Sequence, residues 1–244
     1  MKKIVFLTGT RADFGKMRSI ILSIIKTKKF KVDVFVTGMH LMKEYGNTIE
    51  EIKKVGIKNL FKFRNQKLNY NNKVRMDLIF SKTIEGFSKY VKTNKPDLIM
   101  LHGDRLEAFA GAVVGAYNNI LVGHIEGGEV SGTIDNSIRH SISKLSHLHF
   151  VSNISHKKRL IQLGELKKNI FVIGSPDIDI MVSKKLPSIL KVKKQYKIFF
   201  KDYSILIFHP VTNEVDNVSK QINLLINSLV ERHKNYIIIY PNND

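Results

Sequence analysis

At 244 residues and 43% hydrophobic composition, the chain can bury one sizeable core and part of another, and no apolar run approaches the ~20 residues of a membrane span. The absence of cysteine excludes disulfides, thiolate metal sites and a cysteine nucleophile, and with no signal-peptide core in the first apolar stretch, residues 4–7, it points to the cytoplasm. A formal net charge of +19 would suit nucleic acid if clustered, but the lysines are scattered over helix faces and turns without aromatic interleaving, so neither a nucleic-acid nor a membrane partner is expected, and an anionic substrate accounts for a local positive cleft.

Apolar, β-rich runs of strand length begin at residues 4–7 and recur at 32–36, 98–101, 120–122, 148–151 and 170–173, then at 205–208 and 236–240. Between them apolar residues return at helical spacing, as in Met17, Ile20, Ile21, Ile24 and Ile25, then Ile138, Ile142 and Leu145, and later Ile222, Leu225, Ile226 and Leu229. Alternation of this kind predicts an α/β fold with a parallel sheet, and strands that are apolar throughout predict helices on both faces, the doubly wound arrangement. The predicted organisation is an N-terminal lobe over residues 1–182, a Lys-rich interdomain passage with Pro187 over 183–201, and the beginning of a second lobe over 202–244. That second lobe stops just after its second strand and is expected to be incomplete.

In doubly wound sheets ligands sit beyond the carboxyl ends of the strands, so the residues directly after each strand matter most. After the first strand, TGTRADFG offers Gly9 and Gly15 for close backbone approach and Arg11 for a phosphate ahead of a helix N-terminus; alternatively Arg11 is a surface residue paired with Asp13. This is not G-x-G-x-x-G, and the second strand ends at Thr37-Gly38 without an acidic residue, so no nicotinamide cofactor is expected. The following GMHLMKEYGNT places His40 after a strand end, either as a donor or acid or as a loop histidine capping carbonyls. PDLIMLHGDRLEA sets Asp104 and Arg105 directly after a buried strand, a carboxylate and a guanidinium suited to catalysis.

HIEGGEVSGTIDNSIRH puts Glu126 after the next strand and Asp135 at the opening of a helix, so two carboxylates can converge; Asp135 also reads as a helix cap paired one turn on with Arg139, and Glu129 as a solvated loop residue. His147 and His149 share one face of a strand, but no third ligand lies nearby, so a structural role is expected and no metal. FHPVTNE follows the first strand of the second lobe and carries His209 and Asn213, expected to face the cleft across from Arg11, and IIIYPNND places Asn242 after the next strand.

Taken in order, T-G-T-R-A-D-F-G, H-G-D-R, H-I-E-G-G-E-V-S-G-T-I-D-x-S-I-R-H, H-P-V-T and Y-P-N-x-D resemble the hydrolysing UDP-N-acetylglucosamine 2-epimerases of sialic acid biosynthesis, including the epimerase lobe of the bifunctional animal enzyme. The resemblance runs over residues 1–244 and implies a GT-B-like fold of two Rossmann-like lobes with the active site between them. It also implies a UDP-sugar substrate, a homodimer or homotetramer, and neither nicotinamide nor a required metal. Carried onto matching positions, it makes Asp104, Glu126, Asp135, His40 and His209 the catalytic candidates and Arg11, Arg105, Arg139 and Asn242 the substrate-binding ones.

The implied chemistry is loss of UDP from C1 with removal of the C2 proton, then addition of water at C1 and return of a proton at C2, giving N-acetylmannosamine. The sequence departs from the family at its end, where the serine- and glutamate-bearing loop that holds uridine diphosphate is absent. Two alternatives stand beside this expectation: close relatives act on N,N′-diacetylbacillosamine carried by UDP or GDP, and an incomplete second lobe suits a sugar-nucleotide-binding remnant without turnover.

Overall fold

Strand-length apolar runs and helical stripes alternate along the chain as their periodicities dictate. β1 (Lys3–Thr8) leads into α1 (Arg11–Thr27), β2 (Lys31–Val36), α2 (Ile49–Lys54), β3 (Leu60–Lys62) and α3 (Met76–Asn94). There follow β4 (Leu98–His102), α4 (Leu106–Tyr117), β5 (Leu121–Ile125), α5 (Ile134–Lys144), β6 (Leu148–Val151), α6 (Ile154–Gln162), β7 (Ile170–Val172) and α7 (Pro176–Met181). All of these lie in the first of two units, Met1–Ser183; the second, Lys184–Asp244, holds α8 (Ile189–Gln195), β8 (Ser204–Ile207), α9 (Val218–Val230) and β9 (Tyr236–Ile239). The computed structural model describes residues 1–67, 75–182, 186–209 and 217–239.

The seven strands of the first unit form one parallel sheet in the order β3-β2-β1-β4-β5-β6-β7. The strand order reverses between β1 and β4, the place where such sheets open a crevice for a ligand. β1 shows why its sequence is apolar throughout. Ile4 and Phe6 pack on one side with Phe14, Met17 and Ile21 of α1, while Val5 and Leu7 pack on the other with Phe87, Tyr90 and Val91 of α3 and with Ala108 and Ala112 of α4. Both faces are covered, as a doubly wound sheet requires. In the second unit β8 and β9 pair in parallel and α9 connects them. The α/β, GT-B-like class expected from the sequence is the class found.

Two elements were not legible in the residue pattern. β3 is three residues long, with an apolar run of only Leu60 and Phe61, and exists through pairing with β2. α8 lies in the Lys-rich stretch read as a passage between lobes, started by Ser188, whose hydroxyl accepts from Lys191 N. Among the described residues, no helix is long and apolar enough to cross a membrane.

α4 approaches the sheet closely because small residues line its inner face. A Cβ added at Gly115 would overlap a Val122 methyl and lie 3.2 Å from Ile99 Cδ1. Alanine favours a helix over glycine by about 1 kcal/mol, but overpacking against a β-branched neighbour costs about 1–3 kcal/mol. Gly115→Ala is therefore expected to lower stability in urea unfolding by roughly 1 kcal/mol net; a gain would show that α4 has room there.

Candidate functional site

The chain leaves β1 at Thr8 and enters α1 through Gly9 and Thr10. Thr10 caps the helix by accepting from Asp13 N at 3.3 Å, and the Asp13 carboxylate accepts from Thr10 N at 3.2 Å and Gly9 N at 2.9 Å. The Thr8 hydroxyl donates to the same carboxylate. Asp13 is thus enclosed in its own turn, so the surface pair with Arg11 weighed from sequence does not form, and the Gly9 and Thr10 amides are already engaged. Arg11 itself is exposed and makes no ion pair among the described residues.

His40 lies beneath this turn, 1% exposed. Its Nε2 is 3.0 Å from Thr8 Oγ1 and its Nδ1 2.7 Å from Thr48 Oγ1. Since Thr8 spends its proton on Asp13, the ring donates from Nε2 and accepts at Nδ1. Burial depresses its pKa, against the opposing pull of Asp13 and Thr10, and favours the neutral ring. Both nitrogens are committed, which makes this histidine a strut between the ends of β1 and β2 and not an exposed acid.

The next strand end carries the motif HGDR. His124 of β5 is fully buried; its Nε2 donates to Gly103 O at 2.7 Å and its Nδ1 accepts from Ser143 Oγ at 3.0 Å. Burial holds its pKa at about 3 despite the Gly103 bond, so the ring is a neutral clamp on the loop that bears Asp104 and Arg105. Asp104 pairs with Arg139 of α5, whose Nη1 also lies 3.8 Å from Glu129 Oε2. Arg105 Nε donates to Glu107 Oε2 at 3.2 Å. Glu107, 1% exposed, packs under the first two strand ends: a Cβ on Gly9 would lie 2.6 Å from its Cδ, and one on Gly38, where φ is +60°, 2.6 Å from its Oε1. Only glycine fits both places.

Glu126 is the first residue after β5. Its backbone is held in the left-handed region at φ +62°, a costly conformation for a residue with a side chain, and its N–H donates to Phe150 O at 2.8 Å. Its carboxylate is 94% enclosed as a side chain; Lys16 Nζ lies 2.7 Å and His102 Nε2 3.0 Å from Oε2, while among the described residues Oε1 meets only Ser175 Oγ at 3.4 Å. Burial opposes its ionisation, but His102 and Lys16 outweigh that and hold its pKa at about 2. The Lys16 ammonium, itself disfavoured by burial, is sustained by Glu126, by Asp177 at 3.6 Å and by the field of Glu129. Glu129 therefore acts on both Lys16 and Arg139, joining the two charged groups into one patch beyond β4 and β5.

Of the residues expected from sequence, the structure joins Asp104 to Arg139 and gives Glu126 two cationic or polar partners. Asp135 sits in the first turn of α5, where Thr133 Oγ1 donates to it at 2.6 Å and accepts from its backbone N–H at 3.3 Å. Arg139 turns to Asp104 and Glu129, so the expected one-turn pair with Asp135 is replaced. His209 follows β8 in the second unit and is exposed, and Asn213 and Asn242 lie outside the described residues. His147 accepts from Val122 N at 3.2 Å and His149 lies 3.1 Å from Glu165, so both serve structure. Among the described residues no group of three or more His, Asp or Glu could hold a metal ion.

Lys16, His102, Glu107 and His124 carry the site without having been singled out. His102 and His124 stood inside the quoted motifs, but their partners depend on which strands are neighbours. The ionisation of Glu126 can be checked by acid unfolding. Its folded pKa lies below the ordinary 4.5, so its contribution to stability is complete above that value and is lost as pH falls toward about 2. Glu126→Gln is expected to lower stability at neutral pH and to flatten the loss over that window in urea titrations; an unchanged acid slope would contradict the assignment.

Residues 23–244 match the profile of a family described as UDP-N-acetylglucosamine 2-epimerase. A UDP-N-acetylglucosamine 2-epimerase of Neisseria meningitidis serogroup B is 46% identical over 100% of this chain, which covers 64% of that protein. A UDP-N,N′-diacetylbacillosamine 2-epimerase (hydrolyzing) of Legionella pneumophila is 37% identical over 100% of the chain and 65% of its own length. The chain thus spans just under two thirds of the curated relatives it matches. In fold it is similar to the crystal structure of UDP-GlcNAc 2-epimerase from Neisseria meningitidis bound to UDP-GlcNAc, with a TM-score of 0.82 at 24% identity, covering 99% of this chain and 66% of that one. On the extent of the profile match and the identity to the Neisseria enzyme, the chain belongs to the UDP-N-acetylglucosamine 2-epimerase family.

Proposed function

We propose that the chain is the sugar-handling part of a hydrolysing 2-epimerase that converts UDP-N-acetylglucosamine to N-acetylmannosamine and UDP for sialic acid-type sugars. The observation that carries this reading is Glu126: an ionised, enclosed carboxylate at the carboxyl edge of a parallel sheet, braced by Lys16 and His102 and bordered by the Asp104–Arg139 pair. A carboxylate with a pKa of about 2 is a weak base. It suffices if the C1–O bond to UDP breaks early, because positive charge developing at C1 makes the C2 proton acidic.

In that scheme the C2–H electron pair forms the C1–C2 double bond as UDP departs with the C1–O pair, and the proton passes to Glu126. Water then adds at C1 and a proton returns to C2 on the opposite face. Asp104, fixed by Arg139, and Asp135, held by Thr133, are the acids available for those later steps. Arg11 and Arg105 are assigned to the departing diphosphate. His40 is assigned to the scaffold, because both its nitrogens are already hydrogen bonded.

A second reading changes only the sugar and its carrier, to N,N′-diacetylbacillosamine on UDP or GDP, and the Legionella relative favours it. The full natural protein incubated with each nucleotide sugar in D2O separates the two. Release of the nucleotide with deuterium at C2 of a mannosamine-type product is expected from UDP-N-acetylglucosamine. Turnover with the bacillosamine nucleotide alone selects the second reading, and no exchange with any of them leaves a binding remnant. In the active protein, Glu126→Gln and Asp104→Asn are each expected to lower kcat by about 10²-fold or more, the usual weight of a proton-transfer group; wild-type rates in either variant would remove that residue from the mechanism.

A further inference from the structure

His102 closes β4, 8% exposed, in a register that sets it opposite Ile125 and therefore beside Glu126. The Glu126 carboxylate is unevenly served. Lys16 at 2.7 Å and His102 at 3.0 Å both approach Oε2, whereas among the described residues the donor to Oε1 is the Ser175 hydroxyl at 3.4 Å, near the limit of a hydrogen bond. One oxygen holds two close donors and the other a single distant one. The two braces also differ in kind. Lys16 is shared with Asp177 of α7, feels Glu129, and keeps 28% of its side chain exposed, so it can follow other charges. His102 sits on a strand end whose loop is locked by the His124 bond to Gly103, and it has little freedom to leave.

We propose that His102 is a positioning residue: its Nε2–H fixes Glu126 Oε2 and so presents Oε1 as the oxygen that takes the C2 proton. This rests on the epimerase reading above. Glu126 itself is held in the left-handed region at φ +62°. The charged and titratable groups around the pair are Lys16 from α1, Asp177 from α7, Glu129 from the loop before α5 and His124 from β5. Of these only Lys16 shares the oxygen that His102 holds.

Two substitutions separate positioning from simple support. His102→Leu removes the donor, while His102→Gln replaces it with an amide N–H of similar reach. In the full natural protein, His102→Leu is expected to lose about 10²-fold in kcat with little change in KM, the usual cost of a misplaced reacting group, and His102→Gln to recover at least about tenfold of it. Carboxyl-carbon NMR of the 244-residue chain gives an independent reading: Glu126 should titrate lowest in the wild type, higher in His102→Gln, which keeps a donor to Oε2, and highest in His102→Leu, which has none. Equal kcat in all three proteins, or a Glu126 titration indifferent to the donor, overturns the proposal. A wild-type protein that releases no UDP overturns the epimerase reading and the chemical half of this inference with it, whereas a titration that follows the donor supports the positioning half in either case.

Discussion

The parallel pairing of β4 with β5 is the constraint on which the site depends. With His102 opposite Ile125 and Leu101 opposite His124, three contacts become available at once: His102 to Glu126, His124 to Gly103, and the HGDR loop to α5 through Asp104 and Arg139. A slip of one residue would turn every one of these side chains to the other face of the sheet. Ile99, Leu101 and Val122 pack into the core on one face and Ile125 into the core on the other, all fully buried, so a slip would misplace them between two differently shaped cores, and the hydrophobic core and the charged patch enforce the same register.

Enclosing Glu126 and half-enclosing Lys16 costs hydration, a cost that the contacts of Lys16 and His102 with the Glu126 carboxylate outweigh. What the arrangement provides is direction: an anion whose two oxygens have different surroundings, anchored by a backbone in the left-handed region. Lys16 extends the anchorage from α1 to Asp177 on α7, so the last helix of the first unit is tied to the carboxylate by one ammonium group. Neutral, buried His40 and His124 do the complementary work, holding the loops after β1, β2 and β4 without adding charge.

Much of the fold was legible because its signals are local. Runs of apolar residues with helical stripes between them foretold every long strand and the parallel, doubly covered sheet, while β3 escaped because its apolar run is only Leu60 and Phe61 before Lys62. The positions of Asp104 and Glu126 were legible for the same reason: each directly follows a strand. Their partners were not. Lys16 reaches Glu126 across 110 residues of sequence and His102 across 24, contacts set by strand order and not by spacing. Asp135 shows the reverse case, a carboxylate that sequence could assign either to chemistry or to a helix cap, and which the structure finds bonded within its own helix start. The departure of Arg139 from Asp135 to Asp104 likewise needed the third dimension.

The central claim is that Glu126 presents Oε1 to the reacting carbon while Lys16 and His102 retain Oε2. A crystal structure of the full natural protein with an unreacted UDP-sugar tests it most directly. The expected result places C2 of the sugar about 3–3.5 Å from Glu126 Oε1, within the range of a reactive approach, with both donors still on Oε2. A sugar bound with C2 nearer Asp104 or Asp135, or with Glu126 turned from it, would contradict the claim.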